Sequence, residues 1–121
     1  MSSMQHAWLG NYEVSSTSCT GLTFARHSHD ECVIGVNLLG QEQVWLDRRT
    51  FEAGPGSITL YNPGQIQGGG AAEGQPWRFV SLYATADQLA ADLGLVHLEF
   101  DRSLCFQPEL AMKLADAIEG S

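Results

Sequence analysis

Residues 24–36, "FARHSHDECVIGV", decide how this chain is read. Two histidines, His27 and His29, stand one residue apart just before an apolar, strand-like run. On an extended strand, side chains at i and i+2 project from the same face. His27 and His29 are therefore expected to sit side by side, with Ser28 on the opposite face. They could wall a pocket, ligate a metal, or brace a rim, with Asp30 or Glu31 fixing a tautomer.

Working outward, residues 11–83 read as a series of short strands. "LTFARH" (22–27) and "ECVIGVNLLG" (31–40) enclose the polar turn 28–30. "QVWL" (43–46) and "RTFEA" (49–53) flank Asp47–Arg48 at hairpin spacing. "SITLYN" (57–62) follows the turn signal Ala53-Gly54-Pro55-Gly56 and is closed by Pro63-Gly64. In "WRFVSLYA" (77–84), Trp77, Phe79, Ser81 and Tyr83 alternate with Arg78, Val80 and Leu82. Both faces are largely apolar, so this strand is expected to be buried on both sides, as in a sandwich or barrel. Gly68-Gly69-Gly70 lacks the lysine and the strand–loop–helix context of a phosphate loop and is read as a flexible turn.

After residue 84 the period changes. Thr85, with Gln88 three residues on, forms a capping box for the helix "ADQLAADL", which Gly94 can close. Pro108 takes the first position of the helix "PELAMKLADAIEG". Leu110, Leu114 and Ile118 form one apolar stripe on it, able to pack on the chain's own barrel or to serve as a dimerisation face. The predicted fold is mainly β, a barrel over residues 1–84, followed by two helices in a dimerisation or connector segment over residues 85–121.

Composition narrows the functions. A chain of 121 residues can bury about two-thirds of its unfolded surface unaided. Eight of its 13 glycines fall between Gly35 and Gly70, as the tight turns of an all-β domain require. Six basic against fourteen acidic residues give a net charge of −8. Such a surface repels nucleic-acid phosphates and anionic membranes. No apolar run is long enough to span a membrane, and the start "MSSMQHAWLG" lacks the basic and apolar parts of a signal peptide. Cys19, Cys32 and Cys105 are odd in number and show no C-x-x-C spacing, which favours reduced thiols in a cytoplasm.

Several residues could form a small-molecule pocket. Trp45, Tyr61, Trp77 and Tyr83 could stack on a ligand, or simply fill a core, while Asn37 and Gln67 could hydrogen-bond it. Asn37 interrupts an apolar strand, so its amide needs a partner, and alternation puts it on the face of His27 and His29. A metal site needs more than the histidine pair. Gly21, His27, His29 and Gly40 match the glycines and histidines of the first cupin motif, but Val33 and Ile34 occupy its carboxylate slot. Gly56 and Pro63-Gly64 match the second motif, whose final histidine slot holds Gln67. A glutamine amide is a far weaker transition-metal ligand than imidazole, so no metal or other cofactor is expected.

Together, His27-Ser28-His29-Asp30-Glu31, Ala53-Gly54-Pro55-Gly56 and Asn62-Pro63-Gly64 resemble the N-terminal sensor domain of AraC-type transcriptional regulators. The resemblance runs from about Gly21 to Tyr83, and the helices continue it to Ile118. It implies a cupin-like (jelly-roll) barrel that binds a small-molecule effector without catalysis, and helices that make a homodimer. It also implies DNA binding through a helix-turn-helix domain C-terminal to these residues. One alternative is a small metal-dependent cupin enzyme, a dioxygenase or isomerase, using His27 and His29 with Gln67 or Glu31. Another is a stand-alone sugar- or metabolite-binding module.

Overall fold

The period-two segments become ten strands in a computed structural model that describes residues 3–120. In chain order these are β1 (Ser3–Leu9), β2 (Tyr12–Thr20), β3 (Thr23–His27), β4 (Cys32–Leu39) and β5 (Glu42–Leu46). Then come β6 (Arg49–Ala53), β7 (Ser57–Tyr61), β8 (Gln67–Gly70) and β9 (Pro76–Ala84). Helix α1 (Ala86–Asp92), strand β10 (Leu104–Phe106) and helix α2 (Pro108–Glu119) complete the order. The strands form a six-stranded sheet, β1-β2-β9-β4-β7-β10, and a four-stranded sheet, β3-β8-β5-β6. Every strand pair is antiparallel.

Strand β9 shows why its sequence is apolar on both faces. Val80, Leu82 and Ala84 turn outward and pack with Val14, Val36 and Ile58 beneath Ala111, Ala115 and Ile118 of α2. Trp77, Phe79, Ser81 and Tyr83 turn inward and line a cavity between the sheets. Arg78 then ties the end of α2 down, its Nη2 donating to both carboxylate oxygens of Glu119 at 2.7 and 2.6 Å.

Turn chemistry accounts for the strand boundaries. The β5–β6 hairpin turns on Asp47 (φ 46°) and Arg48 (φ 72°), both left-handed. That conformation suits the twist of a two-residue hairpin but costs a non-glycine residue energy. Asp47 offsets the cost by accepting hydrogen bonds from Ile66 N at 3.0 Å and Gln65 Nε2 at 2.9 Å. Thr85 caps α1 as its sequence predicts, its hydroxyl accepting from Gln88 N at 3.1 Å. Pro108 opens α2.

Three expectations are corrected. Gly68-Gly69-Gly70 is not a flexible turn but most of β8, the strand between β3 and β5. The neighbouring backbones come so close that a Cβ on Gly69 would lie 2.0 Å from Gln43 O, and one on Gly70 2.1 Å from Leu22 O. Glycine is what that spacing permits. Strands β1 and β10 lie outside the residues read as strands, β10 being a three-residue edge strand paired to β7. The stripe on α2 is also shifted. Ala111, Ala115 and Ile118 face the sheet, whereas Leu110 is 55% exposed. Ile118 is therefore core, not dimer surface, and Leu114 is only partly buried. Small alanines let the helix approach the sheet, and leucines would hold it off.

Candidate functional site

A cavity of about 190 Å³ lies between the sheets, lined from β1 to β5 and from β7 to β9. It is smaller than the roughly 300–1,000 Å³ of drug-sized pockets. Three kinds of wall enclose it: an aromatic end, a polar side and the histidine mouth.

Phe24, Trp77 and Phe79 make the aromatic end. Trp77 and Phe79 lie with ring centroids 4.3 Å apart, and Phe24 meets both edge-on at 6.0 and 6.2 Å. Trp77 Nε1 and Thr17 Oγ1 are buried with no hydrogen-bond partner among the described residues. Gly68 and Gly69 of β8 line the cavity with backbone alone.

His27 and His29 stand at the mouth, His27 exposed and His29 half-buried. His27 Nδ1 lies 2.7 Å from Ala25 O, and a carbonyl only accepts, so this nitrogen carries the proton. His27 Nε2 is then free to accept from His29 Nε2, 3.1 Å away. The tautomer is thus set by a backbone carbonyl, not by Asp30 or Glu31. Burial, and then the neighbouring His27, push the His29 pKa below 6.5, while Glu31 and Asp30 pull weakly the other way. His27 pairs in register with Gln67 across β3 and β8, which puts both side chains on one face. Gln67 lines the cavity as expected, as do Tyr61, Trp77 and Tyr83. The Tyr83 hydroxyl sits 3.4 Å from Ser15 Oγ, and its ring lies 5.9 Å from that of His29.

Two expected pocket residues lie elsewhere. Asn37 is buried, but its Nδ2 donates to Gly40 O at 2.6 Å and Ala53 O at 2.9 Å. It braces the β4–β5 turn against β6 and does not line the cavity. Alternation gave its face correctly, but β4 continues past the cavity before reaching it. Trp45 lies on the outer face of β5, with the Arg26 guanidinium 3.9 Å above its ring.

Glu42 is the lining residue that the sequence reading missed. It opens β5 in phase with buried Val44 and Leu46, so its carboxyl points inward with them. The three consecutive apolar residues 44–46 mask that phase, because Trp45 can be taken for an inward residue. Burial lifts the Glu42 pKa from 4.5 to about 7. Tyr61 feels it: burial, and then the Glu42 charge, hold its hydroxyl well above the usual value, partly offset by a hydrogen bond with Thr59.

As a metal centre the site is sparse. No group of three His, Cys, Asp or Glu comes together among the described residues, and Gln67 is the only further donor from the expected set that lines the cavity. Cys19, Cys32 and Cys105 are free thiols, the first two buried. No helix among the described residues is long and apolar enough to cross a membrane.

Comparison with known proteins supplies a family and a fold. The model of the family described as AraC-like ligand binding domain matches residues 10–120. No curated protein sequence matches the chain. Among solved structures, the chain is similar to the Schizosaccharomyces pombe Cnp3 cupin domain, with a TM-score of 0.64 and 11% identity over 84% of this chain and 75% of that one. It is similar to a cupin superfamily protein from Desulfitobacterium hafniense, with a TM-score of 0.62 and 8% identity over 70% and 78% of the two chains. An RmlC-like cupin from Methanocaldococcus jannaschii gives a TM-score of 0.63 and 11% identity over 75% and 86%. At these identities the likeness establishes the cupin-like fold alone.

Proposed function

Since the chain belongs to the AraC-like ligand-binding domain family, we propose that it is the small-molecule-sensing domain of a transcriptional regulator. The observation that carries this reading is the small cavity between the sheets, with an aromatic end and a few convergent polar groups. Its lining comes from eight strands, so a bound ligand would bridge both sheets. A ligand shifts a conformational equilibrium only through different affinity for the two states. In this reading those states differ in how the sheets and α2 present a DNA-binding domain of the same polypeptide. The domain works as a homodimer in the cytoplasm, with exposed Leu110 in the contact face, and catalyses no reaction.

A screen of small metabolites by thermal melting tests the sensing role. A true effector raises the melting temperature, by the equivalent of about 2.7 kcal/mol at a hundred times its Kd. The effect should vanish in Ser81→Phe, which fills the cavity from the centre of β9. Stabilisation that survives this variant would place binding elsewhere.

The convergence of His27 Nε2 and His29 Nε2 keeps one second reading in view, a metal-dependent cupin enzyme. Elemental analysis of purified protein separates the two. One equivalent of iron or zinc, lost in His27→Ala, would favour the enzyme. Sub-stoichiometric metal, indifferent to that change, favours the sensor.

A further inference from the structure

We propose that the cavity takes a small ligand carrying a cationic amine, its ammonium paired with Glu42 and its apolar body against Phe24, Trp77 and Phe79. This rests on the sensing role above and names the chemistry of its ligand.

Glu42 carries the argument. Its carboxyl faces the cavity from the inward side of β5, and no hydrogen bond or salt bridge from the described residues reaches it. No lysine or arginine lines the cavity. Glu42 is half-buried, and an ionised carboxylate largely shielded from water without a partner is costly, so such charges in proteins are generally paired. Here the protein supplies no partner, and a cationic ligand would.

The surroundings fit such a ligand in two further ways. Phe24, Trp77 and Phe79 stand together at the aromatic end and offer an apolar surface to the ligand's body. The chain's net charge of −8 draws cations toward the mouth and repels anions. Burial alone lifts the Glu42 pKa toward neutrality, and no lysine or arginine lines the cavity to offset it.

Three probes of one shape test the proposal: benzylamine, benzyl alcohol and benzoate, titrated into the protein at pH 8 and followed by calorimetry. The expected result is saturable benzylamine binding at least tenfold tighter than benzyl alcohol, with no benzoate binding. In Glu42→Gln the benzylamine advantage should disappear while benzyl alcohol binds as before. Equal affinity for amine and alcohol, or an amine preference that survives Glu42→Gln, overturns the proposal and leaves the sensing role standing. The wild-type comparison decides the matter even if the variant fails to fold. If none of the three binds, the amine proposal falls. The metabolite screen then tells the two ideas apart: stabilisers lost in Ser81→Phe preserve the sensor, and none of any chemistry removes it as well.

Discussion

His29 Nε2 lies 3.1 Å from His27 Nε2 at the cavity mouth, donating into a nitrogen left free because Ala25 O holds the proton of His27 on Nδ1. The bond exists only while His27 Nε2 carries no proton. A proton on His27 Nε2 would set two N–H groups against each other.

The first prediction follows for pH. His29 is held below its ordinary pKa, so the unfolded chain takes up a proton at higher pH than the folded one. Stability is therefore lost as pH falls from about 6.5 through the folded value. Long-range nitrogen–proton NMR should place the His29 midpoint below 6.5. His29→Gln should remove this loss, so its melting temperature should gain on the wild type between pH 7 and pH 5.

Glu42 acts in the opposite sense. Its folded pKa of about 7 lies above 4.5, so the burial penalty is absent below 4.5 and complete only once pH has risen past 7. Glu42→Gln should stabilise the empty protein at pH 8, by about 1–3 kcal/mol after allowance for water in the cavity, and by nothing at pH 4.5. Denaturant titrations at the two pH values check it. A gap independent of pH would mean that the carboxyl is not desolvated.

Gly69→Ala should cost on the order of 3 kcal/mol or more, since its Cβ would meet Gln43 O at 2.0 Å with φ at +116°. Gly10→Ala is the matched control. Its φ is +61° with nothing within 4 Å, so only the backbone preference is lost, about 1 kcal/mol. Similar losses at both sites would show that β8 is looser than described.

Asn37→Leu should destabilise by about 1–3 kcal/mol, because the carbonyls of Gly40 and Ala53 lose their donor. It should leave ligand affinity unchanged. Trp45→Ala should likewise spare binding, since the ring sits under Arg26 on the outer face. Reduced affinity in either variant would return that residue to the pocket.

On α2 the two ends of the expected stripe should separate cleanly. Ile118→Ala leaves a hole beneath the helix and should cost about 2–4 kcal/mol. Leu110→Asp should leave the melting temperature nearly unchanged and, if Leu110 lies in the dimer contact, weaken self-association in analytical ultracentrifugation.

These contrasts show which properties are local. Alternation and turn residues determined strands β3 to β7 and β9, and the caps at Thr85 and Pro108, because each depends on neighbours a few residues away. The double apolar face of β9 announced burial on both sides; motif spacing marked His27 and Gln67, while Tyr61, Trp77 and Tyr83 were legible only as aromatics fit for a pocket or a core, and all five line the cavity. What lay beyond the sequence depends on approach between distant segments. Gly68-Gly69-Gly70 is a strand only because β3 and β5 close on either side of it. Asn37 and Trp45 leave the cavity, and Glu42 enters it, according to where along each strand the sheets enclose space. That enclosure is a property of two sheets packed together, and no single strand's pattern contains it.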